Sequence, residues 1–417
     1  GKTTVVKLFA EKFQTFISLN LDVRQEREIF ERNYSAAELL SAIYFLKNIP
    51  RKDRTLLFID EIQSSPAAVA MLRYLHEDTP DIYVIAAGSL LESLMDTHIS
   101  FPVGRVEYLK VHPCSFREFL GAMGETQSLE FLQQTHVPDY AHGKLQDLFR
   151  LYTLTGGMPE IVQHYATHRD LTALTRIYEG LLASYLDDVE KYARNTTMTN
   201  IIRHTIRQSL IAAGSRIKFQ GFGHSNYKSR EVGEAFRTLE KTMLLQLVYS
   251  TASTSLPIQL DRKKSPKLQL LDTGLTNFVA GLQGDVFGSD HIDDVHEGRI
   301  AEHIAGQELM ALQSSPMSAL NFWTREEKQS NAEVDFVWRH EDLLIPIEVK
   351  SGAEGRLRSL HQFIDRAPHP YAVRICSGKF SVNQSKTISG KHFILINLPF
   401  YLISRLDESI RLGMAAH

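Results

Sequence analysis

Two short segments constrain this chain more than anything else in it. Gly1-Lys2-Thr3-Thr4 leads into Val5, Val6, Leu8, Phe9 and Phe13 at helical spacing, and Leu56-Leu57-Phe58-Ile59 runs without a polar break into Asp60-Glu61. The first segment reads as the second half of a phosphate-binding loop, G-x-x-x-x-G-K-[ST], entering its helix. Glycine lets the backbone curl against phosphates, lysine reaches the β and γ oxygens, a hydroxyl meets Mg2+, and the helix N-terminus adds its dipole. The second segment reads as a fully buried parallel strand, and ligands of such sheets gather at the strands' carboxyl ends. There Asp60 would hold the Mg2+ water shell and Glu61 would orient an attacking water, the positioning work of which phosphoryl transfer mostly consists. The plain alternative is a strand ending in a solvated acidic turn, and the loop upstream weighs against it.

Between and after these segments the pattern stays that of a βα sheet. Phe16 to Asp22 reads as a strand, Ser35 to Glu38 as a capping box opening a helix through Lys47, and Tyr83 to Ala87 as the next buried strand. That strand delivers Gly88-Ser89 to the same edge. Ser89 either senses the γ-phosphate or its water, or simply caps the helix of a strand-to-helix turn. The first glycine of the loop and the strand before it are not in the sequence. The expectation is therefore that the Asp60 strand lacks a neighbour, and that ATP binds poorly until roughly 20 to 40 upstream residues are restored.

The succession GKTT, LLFIDEIQ, AAGSLLESL, FPVGRVEYLKVHPCSFREFL and GGMPEIV resembles the bacterial and archaeal AAA+ ATPases that carry a second domain of unknown function, of DUF4143 type, at the C-terminus. The resemblance covers essentially the whole chain and is most specific in DEIQ and GRVEYLKVHPCSFREFL. It implies an α/β protein with a P-loop (AAA+) parallel-sheet core at 1–122, a helical lid or connector at 123–196, a winged-helix-like unit at 197–280 and a restriction-endonuclease-like α/β domain at 281–417. It also implies ATP and Mg2+ as cofactors, with Gly1, Lys2, Thr3 and Thr4 on the nucleotide, Thr3 and Asp60 on the metal, and Glu61 catalytic. Arg105, in Val103-Gly104-Arg105, falls at a Gly-Arg position that contacts nucleotide phosphates; an ion pair closing the sheet edge is its other reading.

Composition bounds the rest. At 417 residues, 43% hydrophobic and 23% charged, the chain has room for two to four domains and is not of disordered or collagen-like composition. Cys114 and Cys376 stand far apart without metal-ligand spacing, so a disulfide scaffold or zinc module is not expected and a reducing cytoplasm is. No apolar stretch approaches the ~20 residues that span a bilayer, and no signal peptide precedes them, so a soluble protein is expected. Helices are expected through Ser115–Leu120, 128–135, 143–153 and 171–193, with a break at Gly156-Gly157-Met158-Pro159. Asp187, Asp188 and Glu190 read as a solvated face rather than a metal cluster.

The net charge of −3 conceals an asymmetry. From Thr199 to Lys267, 12 Lys and Arg face 4 Asp and Glu, a net +8 against −11 elsewhere. A basic module in an acidic protein points to a polyanionic partner, DNA or RNA. Its pattern fits a winged helix: helices at Thr199–Ala213 and Ser229–Thr242, then strands at 244–249 and 268–271 flanking a wing with Arg262, Lys263, Lys264 and Lys267. Lys228, Arg230 and Arg237 would meet phosphates. The same unit also serves as a lid or a contact for a protein partner.

A second constellation lies in the last third. Glu302 sits in a helix that ends near Leu312, Asp335 in a strand at 333–338, and Glu348 and Lys350 two apart in a strand at 344–350, hence on one face. This D…ExK arrangement closely resembles the PD-(D/E)xK nucleases, with Glu302 as the extra acid of the first helix and a later helix bearing Gln362. Glu302, Asp335 and Glu348 would hold Mg2+, and Lys350 would orient or activate the attacking water. A retained nuclease fold also serves as a non-catalytic docking surface.

Overall fold

Burial on both faces makes the Asp60 segment a central strand. The computed structural model describes residues 1–88, 104–134, 137–189, 193–281, 298–313, 315, 318–327, 330–352 and 357–415. They fall into two units, 1–111 with 241–243, and 112–240 with 244–417.

The first unit runs α1 (Lys2–Ala10), β1 (Thr15–Asn20), α2 (Arg24–Glu28), α3 (Ala36–Lys47), β2 (Thr55–Asp60), α4 (Pro66–Asp78) and β3 (Ile82–Ala86). Its parallel sheet has the order β1-β2-β3. Alternation along β2 sends Leu57 and Ile59 into a core with α3 and α4, and Leu56 and Phe58 into a second core with Val6 and Ala10 of α1. The Asp60 strand thus has a parallel partner on each side, which corrects the expectation that it lacks a neighbour. Ser35 forms the capping box with Glu38, and Ser65 caps α4, whose first residue is Pro66.

The second unit begins with helices α5 (Phe116–Ala122), α6 (Thr126–Gln133), α7 (Asp139–Thr155), α8 (Pro159–His168), α9 (Leu174–Asp188), α10 (Thr196–Ala212) and α11 (Ser229–Lys241). Then come β4 (Leu245–Thr251), β5 (Leu260–Asp261), β6 (Lys267–Leu270), α12 (Thr273–Val279), α13 (Gly298–Ala311), β7 (Asn321–Glu327), β8 (Ser330–His340) and β9 (Leu343–Val349). The chain closes with α14 (Arg358–Arg366), β10 (Tyr371–Cys376), β11 (Ser381–Lys386), β12 (His392–Pro399) and α15 (Leu406–Ala415). The mixed sheet has the order β11-β12-β10-β9-β8-β7-β4-β5, with β6 also on β4.

Strand β4 serves two pairings. Leu245 to Val248 pair antiparallel with β6, and Tyr249 to Thr251 pair parallel with β7. One sheet therefore crosses position 280, and one apolar core runs from Phe116 of α5 through Phe236 of α11 to Ile410 of α15. Inside this core lies a polar knot. Asp272, wholly buried, accepts from the backbone N–H of Gly157 at 2.6 Å and of Leu275 at 3.0 Å, capping α12. Glu308 accepts from Phe116 N–H at 2.9 Å and from the Tyr152 hydroxyl at 2.7 Å, tying α13 to α5 and α7. Burial raises Asp272 to about 6 and Glu308 to about 7, and holds His303, on α13, down at about 3.

Candidate nucleotide site and a carboxylate–lysine centre

In the first unit, the end of β2 and the start of α1 meet. The Thr3 hydroxyl donates to Asp60 Oδ2 at 2.8 Å. Gly1 caps α1 without a side chain, and the first turn carries no acid, so its free N–H groups and positive dipole end suit an anion. Lys2 and Thr3 are half-buried, and Gly1 and Thr4 are exposed in the same turn. A hydroxyl and a carboxylate at hydrogen-bond distance are the hard oxygen donors that Mg2+ takes, so these residues fit that ion.

Glu61 adopts a left-handed backbone, φ 53°, just past the strand. Its amide donates to Asp60 Oδ1 at 3.1 Å and its carboxylate accepts from the Gln63 side-chain amide. The turn is sewn to the end of β3, since Ile62 N–H donates to Ala87 C=O at 3.0 Å and Ala87 N–H to Ile59 C=O at 2.8 Å. Gly88 lets the end of the Gln63 side chain lie close: a Cβ at this position would sit 2.3 Å from Gln63 Oε1 and move that side chain. Gln63 is a residue the sequence reading left unassigned, although DEIQ contains it. Ser89 lies outside the described residues.

Arg105 departs from its nucleotide assignment. Its guanidinium Nε sits 2.6 Å from Glu77 Oε1 near the far end of α4, the helix that starts beside the Asp60 turn. Thirteen residues at ~1.5 Å rise put that end roughly 18 Å from the carboxyl edge of β2. Arg105 is therefore corrected to the ion-pair reading, because the nearer carboxylate claims it.

In the second unit the hairpin β8–β9 sets Asp335 across from Glu348, next to the Phe336–Ile347 pair. Asp335 Oδ2 accepts from Val349 N–H at 2.9 Å, and Lys350 Nζ sits 2.7 Å from Glu348 Oε1. Glu302 reaches the same region from α13. The residue between them is unexpected. Lys267 of β6, 5% exposed, directs its ammonium at Glu302, at Glu333 Oε1 at 2.7 Å and at Asp335 Oδ1 at 3.5 Å. Glu333 also takes Arg216 at 2.6 Å. Burial works against the Lys267 charge, but Glu302, Asp335 and Glu333 outweigh it and raise its pKa. Burial, helped by the charge of Asp335, pushes Glu348 up to about 7 while Lys350 pulls it down.

Glu302, Asp335 and Glu348 are thus brought together as expected, yet the donor set does not fit a resident Mg2+. A divalent ion needs carboxylate oxygens at about 2.0 to 2.6 Å on an open centre, and here an ammonium holds two of the three acids while Lys350 holds the third. Among the described residues, no three His, Cys, Asp or Glu side chains group as a metal would require. The wing assignment of Lys267 is corrected for the same reason: it is sequestered rather than offered to phosphates. Glu333, missed in the sequence, stands two residues before Asp335, and strand alternation puts both on one face. Gln362 lies on α14, the later helix expected to carry it, and accepts from Arg325 at 3.0 Å. Lys228, Arg230, Arg237, Arg262 and Lys263 remain exposed on the basic stretch.

The AAA domain family matches residues 1–120, a domain of unknown function (DUF8612) matches 146–286, and a domain of unknown function (DUF4143) matches 297–401. No curated protein matches the chain. Among solved structures, the Walker-type ATPase PABY2304 of Pyrococcus abyssi is similar at 13% identity, covering 67% of this chain and 88% of its own, with a TM-score of 0.41. Among the described residues no helix is long and apolar enough to cross a membrane.

Proposed function

The chain joins an N-terminal AAA domain to a C-terminal DUF4143 domain, and from that premise we propose that it binds and hydrolyses ATP and thereby switches how its C-terminal part holds a partner. The observation that carries the ATPase reading is the Thr3–Asp60 hydrogen bond at 2.8 Å, which joins the phosphate-loop helix to the acid that ends β2. Gly1, Lys2 and the first turn of α1 would receive the phosphates, and Thr3 and Asp60 would hold Mg2+, whose chemistry there would be neutralisation of phosphate charge. Glu61 orients the attacking water and accepts its proton, with Gln63 fixing the carboxylate. Calorimetry on the full-length protein tests this: it should bind ATP, and no measurable affinity would sink the reading.

For the C-terminal part, a PD-(D/E)xK-like fold can either cut nucleic acid or dock a partner without cutting. The position of Lys267 among Glu302, Glu333 and Asp335 favours docking. The exposed residues Lys228, Arg230, Arg237, Arg262 and Lys263 support DNA or RNA as the partner, through phosphate contacts that steer and hold without reading sequence. Incubation of wild type with Mg2+ or Mn2+ and assorted DNA and RNA separates the two. No cleavage is expected; cleavage lost in both Asp335→Ala and Lys350→Ala would restore the nuclease reading.

A further inference from the structure

We propose that the ammonium of Lys267 is the resident cation of the carboxylate centre formed by Glu302, Glu333 and Asp335, standing in the place of a divalent metal and keeping metal out. Three carboxylates from α13 and β8 converge on the ammonium of Lys267, a residue 5% exposed. Three acids packed this closely repel one another unless a positive charge stands among them, so the centre calls for a cation. Lys267 supplies it covalently.

The backbone fixes that supply. Lys267 pairs with Val248 of β4 on one side and bridges to Arg216 on the other. Neighbouring ladder bonds, Ile217 N–H to Pro266 C=O at 2.9 Å and Leu268 N–H to Ser215 C=O at 3.0 Å, hold the strand in register. The side chain passes the face of Phe322, with the ammonium 5.1 Å from the ring centroid. A strand clamped on both edges cannot withdraw its lysine without breaking the sheet. A metal ion entering the centre would therefore meet an ammonium already bonded to its ligands.

This deepens the docking reading of the C-terminal domain and stands whether or not the AAA domain turns over ATP. The test is Mn2+ binding, followed by melting temperature in EDTA and in millimolar Mn2+ without nucleotide, on wild type, Lys267→Met and Lys267→Met/Asp335→Asn. Wild type should melt alike in both buffers. Lys267→Met should be destabilised in EDTA, recover in Mn2+, and bind Mn2+ roughly tenfold or more tighter than wild type; the double variant should lose that response. Mn2+ that stabilises wild type, with the shift abolished in Asp335→Asn, would overturn the assignment. A folded Lys267→Met indifferent to Mn2+ would overturn it too, and would leave docking standing if wild type cuts nothing. Should Lys267→Met not fold in either buffer, the wild type decides by electron paramagnetic resonance: no Mn2+ bound in an Asp335-dependent manner supports the proposal, and such binding overturns it.

Discussion

Thr3 donates its hydroxyl hydrogen to Asp60 across 2.8 Å, fastening the first turn of α1 to the end of β2. Both oxygens are hard donors at the edge where a phosphate chain would lie. In the full-length protein, Thr3→Ala and Asp60→Ala should each lower kcat for ATP roughly 100-fold or more, because each removes an oxygen donor that would hold the charge-neutralising ion. Phosphate release at saturating ATP and Mg2+ measures this; unchanged rates would remove both from the site.

Gly88 lies beside the end of the Gln63 side chain. An added methyl would sit 2.3 Å from Gln63 Oε1, so Gly88→Ala must push that side chain off Glu61. The expected outcome is a kcat loss of about tenfold with ATP affinity kept and stability changed by less than about 1 kcal/mol, because only the end of a flexible side chain has to move. Parallel calorimetry and steady-state kinetics separate the two terms, and an equal loss in binding and turnover would point to collapse of the edge instead.

Glu308 predicts a pH effect of definite sign. Burial raises its carboxyl from 4.5 to about 7, so the unfolded chain ionises first and the folded state loses stability as pH climbs from 4.5 to about 7. At about 1.36 kcal/mol per pH unit the full loss is on the order of 3 kcal/mol. Glu308→Gln keeps the neutral form, so its stability relative to wild type should improve by about 2 to 3 kcal/mol between roughly pH 5 and pH 8 in urea melts. Asp272, raised to about 6, acts with the same sign, and His303, lowered to about 3, loses stability as pH falls from 6.5; comparing the two proteins at each pH cancels both. A difference that stays flat with pH would contradict the burial argument.

The exposed basic residues make a separate prediction. Replacing Arg230 and Arg237 with alanine should weaken duplex DNA binding for all sequences alike and reduce the slope of log affinity against log salt by roughly 2. Fluorescence anisotropy over a salt series checks this. An unchanged slope would exclude α11 from the nucleic-acid surface.

What the sequence made legible follows from range. Asp60 could be placed because four consecutive apolar residues before it leave few options but a buried strand, and the pairing of Asp335 with Glu348 followed from alternation across a tight hairpin. Lys267 could not be placed, because local charge counting treats a lysine as solvated. Its burial depends on Glu302, 35 positions on, and on two acids farther still. For Arg105 the ion-pair reading could be weighed but its partner could not be named, since Glu77 lies 28 positions upstream. Nor does any local pattern announce that β4 divides its length between β6 and β7, since either pairing alone would leave the same run of apolar residues.

The central claim is that Glu61 orients the water that attacks ATP while Lys2, Thr3 and Asp60 hold the nucleotide and its ion. The most direct measurement sets ATP affinity beside turnover for Glu61→Gln in the full-length protein. Affinity within about threefold of wild type with turnover reduced roughly 100-fold or more is the predicted result. Hydrolysis at the wild-type rate in Glu61→Gln would contradict it.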